Sequence, residues 1–473
     1  MSALNPNVAP QVAEYAGDEV SALVLDAGSS TVRVGFAGED TPKSIVPTSY
    51  GELEGKQIFG DHVIDLPKPN LEIKNPMNKD GLVEDWDVAE RLWRYSFASK
   101  LTGQRPNRAL QDWLNDPSQV PNLTQAMKDA VETEKALEDH PLFMTEASWN
   151  TSKGKDKAIE IAMENWGTPA FYMGKTGVMA AFASGKATAL IIDIGAKVTS
   201  VTPVHDGLIL KKGVTRSSLA GNFLSSQIRA MLATRTNPIT ITPHYMVKSK
   251  TPVDLDQPAN FIARTFDVAP QPSFRRYQEE RTIQEFKECV VQVWPGGQPL
   301  MQQVNGNQTQ EDLLKGLPGR PFEFPDGFNS AFTSERYRVA EALFDTRAYI
   351  EPADPEDKQN FPAPTTSQTL PALIKTALQN IDVDLRPHLL SNVVVTGGTS
   401  LVHGLNDRLN AELVKMYPSS RIKLHSPGNL AERKFGSWIG GSIMASLGTF
   451  HQMWISKKEY EEHGPGIVEK RCK

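Results

Sequence analysis

Cysteine and long apolar runs are both scarce in this chain, and each scarcity argues against a class of protein. Only Cys289 and Cys472 occur among 473 residues, so no disulfide framework is possible and a reducing compartment is favoured. No stretch reaches the roughly 18 consecutive apolar residues of a membrane-spanning helix, and no signal-peptide pattern is visible. Neither secretion nor membrane insertion is therefore expected.

The chain also lacks an excess of positive charge. Its 50 Lys and Arg against 56 Asp and Glu give a net charge of −6, which argues against the broad basic face of nonspecific DNA binding. A local basic patch is not excluded, so direct DNA binding stays open. Apolar residues make up 39% of the chain, enough over this length for more than one domain core. Two large α/β domains are the expected architecture.

A candidate phosphate-binding hairpin lies near the start of the chain. The apolar run 22–25 leads into Asp26-Ala27-Gly28-Ser29-Ser30-Thr31, and a second strand-like run follows. A tight turn rich in Gly and Ser can direct its backbone N–H groups at an anion. Asp26 at the strand end suits a divalent ion, directly or through water, because Mg²⁺ takes few protein ligands. Alone the signal is weak, since many hairpins carry a Gly-Ser turn for steric reasons.

The pattern recurs later in the chain. Residues 190–200 repeat the apolar strand, the Asp193-Ile194-Gly195 turn and the β-branched return strand. A third buried strand, 393–395, leads into Thr396-Gly397-Gly398-Thr399, where the glycines allow close backbone approach to a ligand. The repetition suggests two similar half-molecules that face each other across one phosphate site.

This order of motifs resembles that of the actin, Hsp70 and sugar-kinase superfamily, and other segments narrow the resemblance to the actin family. The segments that resemble actin are 432–443, 452–460, 35–40 and 145–147. The resemblance covers nearly the whole chain outside three insertions, and the departures resemble those of nuclear actin-related proteins. It implies an α/β, actin-like fold, with two ribonuclease-H-like α/β domains, four subdomains and a nucleotide in the central cleft.

The resemblance also implies the domain organisation. We expect a flexible N-terminus at 1–20, a first lobe at 21–183 plus 436–473, and a second lobe at 184–435. The stretch near 48–60 is shorter than the actin loop that grips the next filament subunit. The insertion at 102–135 is either a partner-binding knob, with Trp113 as the residue to test, or packs on its own domain. The Pro-rich insertion at 236–280 and the acidic, Pro-rich insertion at 351–368 predict loops with little regular structure.

The matched positions imply ATP, with Mg²⁺, as the cofactor. Asp26 and Asp193 are the metal positions, and Arg33 stands where actin has its phosphate-contacting lysine. Lys287 and Glu288 match the pair on the adenosine side, and Lys434 the lysine near the adenine. The full set of expected nucleotide contacts is Gly28, Ser29, Ser30, Arg33, Asp193, Gly195, Lys287, Glu288, Gly397, Gly398, Thr399 and Lys434.

Two positions that handle the attacking water in actin differ here. Thr176 stands in place of a glutamine and Ser200 in place of a histidine. Hydroxyl groups are poor bases near neutral pH, so we expect ATP binding with at most very slow hydrolysis and assign no catalytic residue. Ala196 and Lys197 also depart from actin. Lys197 either lies near the phosphates or is a solvated loop lysine.

The resemblance implies a nuclear, structural role. We expect a subunit of chromatin-remodelling and histone-acetyltransferase complexes that pairs with actin and docks on a long scaffold helix, with histones or nucleosomes as further candidate partners. Two alternatives stay open. One is a hydrolysing actin-like ATPase that forms filaments or acts as a nucleotide switch. The other is a sugar or acetate kinase, against which the actin-like C-terminus argues.

Overall fold

The computed structural model describes residues 21–98, 101, 135–296, 299–305 and 308–473. The expected flexible segment 1–20 and nearly all of the insertion at 102–135, Trp113 included, lie outside the described residues. The strands, in chain order, are β1 (Leu23–Ala27), β2 (Thr31–Phe36), β3 (Ser44–Pro47), β4 (Tyr50–Leu53), β5 (Lys56–Ile58), β6 (Glu72–Lys74), β7 (Leu142–Glu146), β8 (Ala170–Lys175), β9 (Ala189–Ile194), β10 (Thr199–His205), β11 (Leu208–Ile209), β12 (Thr215–Ser217), β13 (Val247–Thr251), β14 (Asn260–Ala263), β15 (Gln303–Asn305), β16 (Gln308–Thr309), β17 (Arg320–Glu323), β18 (Asn329–Phe332), β19 (Val393–Thr396), β20 (Leu424–His425) and β21 (Ile455–Ser456).

The longest α-helix among the described residues is α6, with eighteen residues. In chain order the α-helices are α1 (Asp61–Ile64), α2 (Trp86–Ala98), α3 (Ser152–Glu160), α4 (Thr176–Ala183), α5 (Gly221–Thr234), α6 (Pro272–Cys289), α7 (Gln310–Leu314), α8 (Glu335–Glu341), α9 (Pro355–Asn360), α10 (Leu370–Gln379), α11 (Arg386–Leu390), α12 (Leu405–Met416), α13 (Leu430–Lys434), α14 (Gly436–Ser446), α15 (Lys457–His463) and α16 (Ile467–Arg471). Across the described ranges, no helix is both long enough and apolar enough to cross a bilayer.

Two large sheets share one plan. The first has the order β21-β8-β7-β1-β2-β3, and the second runs β11-β10-β9-β19-β20 with β12 also paired to β10. In each, an antiparallel hairpin (β1–β2 or β9–β10) lies beside a parallel neighbour of its first strand (β7 or β19). This arrangement confirms the expected α/β, actin-like fold and brings each hairpin turn to the same end of its sheet.

Each sheet is the centre of its own hydrophobic core. Apolar runs such as Leu23-Val24-Leu25 are buried because both faces of a central strand are covered. The first core contains three tryptophans and the second several phenylalanines, and the following rings are fully buried: Trp93, Trp166, Trp438, Phe223, Phe286 and Phe332. We call the part built around the first sheet the first lobe (21–183 and 436–473), and the rest (184–435) the second lobe.

The prediction of a mostly irregular insertion at 236–280 is wrong. Residues 247–251 and 260–263 pair as an antiparallel ribbon, β13–β14, and α6 begins at Pro272, inside the insertion. Proline is favoured in the first turn of a helix because the N–H it lacks has no partner there. Phe274, fully buried, then anchors the first turn of α6.

The insertion at 351–368 also contains a helix that the acidic composition did not predict. Asp354 caps α9 by accepting a hydrogen bond from the Glu356 N–H at 2.8 Å. Asp357 is buried and pairs with Arg276 and, at 3.5 Å, with Arg229. The acidic residues therefore stabilise this helix against the second lobe.

The short stretch at 48–60 forms regular structure as well. β4 pairs with β5 across a tight turn in which Glu54 and Gly55 have positive φ angles of 51° and 76°. β4 also pairs with β6, which makes a small three-stranded sheet.

Candidate functional site

Hydrogen bonds within the turn and from Thr48 fix the conformation of the first hairpin turn. The N–H of Gly28 donates to the Thr31 carbonyl at 3.1 Å, and a Cβ at Gly28 would lie only 2.9 Å from that oxygen. Thr48 Oγ1 donates to the Gly28 carbonyl at 2.6 Å. No described residue accepts a hydrogen bond from the N–H of Ser29 or Ser30. Two backbone donors of this turn are thus available to an anion.

The second turn has the same property and is tied to two further elements. The Gly195 N–H donates to the Val198 carbonyl at 3.0 Å, and the Gly195 carbonyl accepts from the Gly221 N–H at 3.0 Å and from Thr399 Oγ1 at 2.8 Å. Among the described residues, the N–H groups of Ala196 and Lys197 have no acceptor. The second hairpin, the start of α5 and the turn after β19 therefore meet at one point.

The carboxylate of Asp26 already accepts hydrogen bonds from two side chains. Its Oδ1 accepts from Thr145 Oγ1 at 2.6 Å and its Oδ2 pairs with Arg33 Nη1 at 2.7 Å. The Arg33 guanidinium also lies 5.3 Å from the centre of the Phe435 ring. Sequence reasoning missed this ion pair, although Asp26 and Arg33 stand directly opposite each other in the hairpin register, which could have indicated it. The positive charge of Arg33 thus lies beside Asp26 at the phosphate turn.

Asp193 is the carboxylate that remains without a partner. None of the described residues donates a hydrogen bond to it or forms an ion pair with it. Burial, reinforced by the negative charge of Asp26, raises the pKa of Asp193 to about 6, and the positive charge of Arg33 opposes this shift. A bound cation would relieve both the burial and the repulsion.

The absence of a side chain at Gly397 leaves room for the Asp193 carboxylate. The φ of Gly397 is 91°, and a Cβ there would overlap both Asp193 Oδ1 and the Ile194 carbonyl. The described residues contain no group of three or more His, Cys, Asp and Glu side chains suited to a metal. Mg²⁺ needs few protein ligands and keeps several waters, so Asp193, with Asp26 beyond it, fits this ion.

A residue that the sequence analysis did not single out fixes the Gly-Gly turn. The Arg433 carbonyl accepts from the Gly397 N–H at 3.0 Å and from Thr396 Oγ1 at 3.0 Å. Its guanidinium bonds the Ser400 carbonyl. Because a backbone carbonyl makes two of these contacts, no sequence pattern could have indicated them.

The expected adenosine-side residues are placed differently from one another. Lys287 is buried and donates to the Gly221 carbonyl at 3.0 Å, Ser225 Oγ at 2.8 Å and Gln284 Oε1 at 3.1 Å. Burial lowers its pKa. Two of these contacts join α6 to α5 and the third stays within α6, so all three ammonium donors are used and Lys287 supports the start of α5 beside the second hairpin. Glu288 and Lys434 have exposed side chains.

The two water-handling positions carry hydroxyl groups. Thr176 begins α4, and Ser200 is buried in β10 directly opposite Asp193. Lys197 was expected either near the phosphates or as a solvated loop lysine. Its ammonium instead reaches the first lobe and donates to the Met77 carbonyl at 2.6 Å.

Comparisons with known proteins agree with this architecture. The family model described as Actin matches residues 17–473. A relative named Actin-related protein 4 from Emericella nidulans is 58% identical, with 99% of this chain and 100% of the relative covered. Proteins of the same name from Schizosaccharomyces pombe and Arabidopsis thaliana are 37% and 30% identical over 97% of this chain and 99% and 100% of their own lengths. The chain therefore belongs to the actin family.

Proposed function

We propose that the protein binds ATP with Mg²⁺ between its two hairpins, retains it with at most very slow hydrolysis, and acts as a structural subunit of nuclear chromatin-remodelling and histone-acetyltransferase complexes. The observation that carries the ATP site is that, within the described residues, four N–H groups of the two turns and the carboxylate of Asp193 have no hydrogen-bonding partner. Unpaired polar groups in a cleft indicate a ligand that completes their bonding.

The metal would be held by Asp193, with Asp26 acting directly or through a water. Mg²⁺ supplies positive charge that screens the phosphates from these carboxylates. Arg33, already paired with Asp26, adds a second positive charge at the first turn. The chain's own contribution is to bind and orient the phosphates through the N–H groups of both turns.

Slow hydrolysis follows from the hydroxyl groups at Thr176 and Ser200. In-line attack requires a group that orients or deprotonates the water, and a positioned base contributes a factor of roughly 10² to 10⁴. A serine or threonine hydroxyl can hold a water but cannot accept its proton near neutral pH. The bound nucleotide then stabilises the closed fold by mass action.

The test is to identify the nucleotide that purified protein carries and to follow it during long incubation with Mg²⁺. We expect intact ATP. Asp193→Asn should lower the amount of bound nucleotide, and Asp206→Asn, at the exposed turn between β10 and β11, should not. Steady accumulation of ADP and phosphate by the wild type would support the alternative of a hydrolysing switch, and pelleting under polymerising salt would support a filament.

A groove between the lobes supports docking of a scaffold helix. A cavity of about 380 Å³ is lined by apolar side chains, including Ala183 and Ile439, and by the exposed acids Asp40 and Glu432. The neighbouring Ile443, one turn further along α14, is also exposed. A groove that combines apolar and polar residues such as Ser184 and Asn429 with two acids fits an amphipathic helix that carries basic residues.

This docking can be tested with a purified complex of actin and the scaffold helix. Ile443→Asp should abolish binding, because it places a charge on the apolar side of the groove. Leu208→Asp changes an apolar residue on β11 that is more exposed than Ile443, 60% against 38%, and should leave binding intact. Equal binding by both variants would place the scaffold helix elsewhere.

The basic residues of the insertion at 236–280, which are Lys248, Lys250, Arg264, Arg275 and Arg276, are a weaker candidate for the binding of an acidic partner. Lys250 pairs with Glu323 at 2.6 Å, Arg275 with Glu279 at 2.8 Å, and Arg276 with acids of the α9 segment. Most of their charge is thus balanced within the chain. Histone binding therefore stays a proposal without an assigned surface.

A further inference from the structure

Lys197 lies in the turn of the second hairpin, and its side chain crosses the cleft to the first lobe. Its Nζ donates to the Met77 carbonyl at 2.6 Å, to Asn75 Oδ1 at 3.3 Å and to the Asn78 carbonyl at 3.3 Å. All three acceptors belong to the segment that follows β6. A lysine ammonium has three N–H donors, so these contacts use all of them. The Lys197 side chain therefore joins the two lobes, and its ammonium has no N–H left for a phosphate.

Asn75 extends this link to the first hairpin. Its Nδ2 donates to the Ser29 carbonyl at 3.1 Å, while its Oδ1 accepts from the Met77 N–H at 3.0 Å as well as from Lys197. A continuous chain of hydrogen bonds thus runs from the first turn through Asn75 to the second turn. The two turns that flank the proposed phosphate site are tied together by one asparagine and one lysine.

The acceptors of Lys197 are all neutral. Within the described part of the chain, no carboxylate lies at ion-pair distance from its ammonium. Burial lowers the pKa of Lys197 to about 8, against the opposing charge of Glu84. The amine is therefore mostly protonated at neutral pH, and a charged donor makes the stronger hydrogen bonds.

Two ion pairs between the lobes are more exposed to water. Arg216 lies 3.6 Å from Asp80, and both side chains are about 40% exposed. Arg281 pairs with Asp65, and the arginine side chain is about half exposed. Exposed ion pairs contribute little, whereas the bonds of Lys197 are shielded.

We propose that Lys197 is a nucleotide-retention residue, which holds the first lobe at Asn75, Met77 and Asn78 and so keeps the cleft closed over a bound nucleoside triphosphate. The inference rests on the proposed ATP site. Three hydrogen bonds from a charged donor must break before the lobes can separate along this seam. The Lys197 side chain therefore acts on the rate at which nucleotide leaves, and not through contact of its ammonium with the nucleotide.

The experiment uses the full-length chain with Lys197→Met, which keeps the length of the side chain and removes its donors. Lys375→Met is the matched control, because Lys375 is an exposed lysine of α10 in the same lobe. Two quantities are measured: the release of a fluorescent ATP analogue after mixing with excess ATP, and hydrogen–deuterium exchange of residues 75–82 in nucleotide-free protein. For Lys197→Met we expect release about tenfold faster or more, and faster exchange confined to that segment. Lys197→Arg, which keeps the charge and donors, should recover part of the retention.

The two measurements separate the inference from the ATP site itself. Unchanged exchange at 75–82 in Lys197→Met would overturn the link between the lobes, whether or not ATP binds. Faster exchange with an unchanged release rate would overturn the role in retention. A slower association rate with unchanged release would also overturn it, because this result indicates a direct phosphate contact. If the wild type binds no ATP analogue, the proposed function fails, and the exchange data still decide whether Lys197 closes the cleft.

Discussion

Replacing Gly397 by alanine tests how the Gly-Gly turn builds the site. Its φ of 91° and ψ of 149° fall in a region that is essentially confined to glycine, which costs a side-chain-bearing residue about 1–3 kcal/mol. The new Cβ would also overlap the Ile194 carbonyl and Asp193 Oδ1, and the backbone atom cannot move away cheaply. We expect the two effects to destabilise the second lobe by about 3 kcal/mol or more. A loss of that size lowers the melting temperature of a domain of this length by roughly 6–12 °C.

The neighbouring Gly398 provides the matched control. A Cβ there would meet no atom within 4 Å, and the residue has no positive φ. Gly398→Ala should therefore change the melting temperature of nucleotide-free protein by less than about 2 °C, as a surface substitution does. Its methyl group would instead project into the open space where we place the nucleotide. ATP affinity should fall about tenfold, equivalent to about 1.4 kcal/mol.

Both variants are assayed by thermal unfolding after removal of nucleotide with apyrase and EDTA, and then by ATP titration. Equal melting temperatures for the two variants would refute the steric argument at Gly397. Wild-type ATP affinity in Gly398→Ala would refute the placement of the nucleotide against this turn.

Two further predictions concern the cores and the thiols. Arg408→Met should cost about 3–5 kcal/mol of unfolding free energy in denaturant titrations, because Glu341 is buried and loses two bonds of 2.7 and 2.9 Å. Adding Glu341→Gln should recover part of this loss, whereas fully additive losses would contradict the pairing. Native protein should expose one thiol to a thiolate-selective reagent, because Cys289 is exposed while burial raises the pKa of Cys472 to about 12. Two fast-reacting thiols without denaturant would contradict that burial.

The sequence predicted the two hairpins and the Gly-Gly turn because these features are local. Strand, Asp-x-Gly turn and return strand are set by a few adjacent residues, and the structure has them as β1–β2 and β9–β10.

Composition was a poor guide to the insertions. Proline and acidic residues indicated loops at 236–280 and 351–368, yet the same residues begin α6 at Pro272 and cap α9 at Asp354. A proline or carboxylate at the start of a segment favours a helix only when side chains of the following turn can be buried. Phe274 in α6 and Asp357 in α9 are such buried side chains. The tertiary contacts that decide this are absent from local composition.

The sequence by itself thus determined which residues form the two hairpin turns, which carboxylates stand at their strand ends, and that Thr176 and Ser200 carry hydroxyl groups, which are poor bases. Only the tertiary structure decided what those groups face. It paired Asp26 with Arg33, left Asp193 without a partner among the described residues, and placed the Lys197 ammonium against the Met77 carbonyl, 120 positions earlier in the chain. The physical reason is that turn chemistry depends on neighbouring residues, whereas an ammonium finds its acceptors wherever folding places unpaired oxygens within reach.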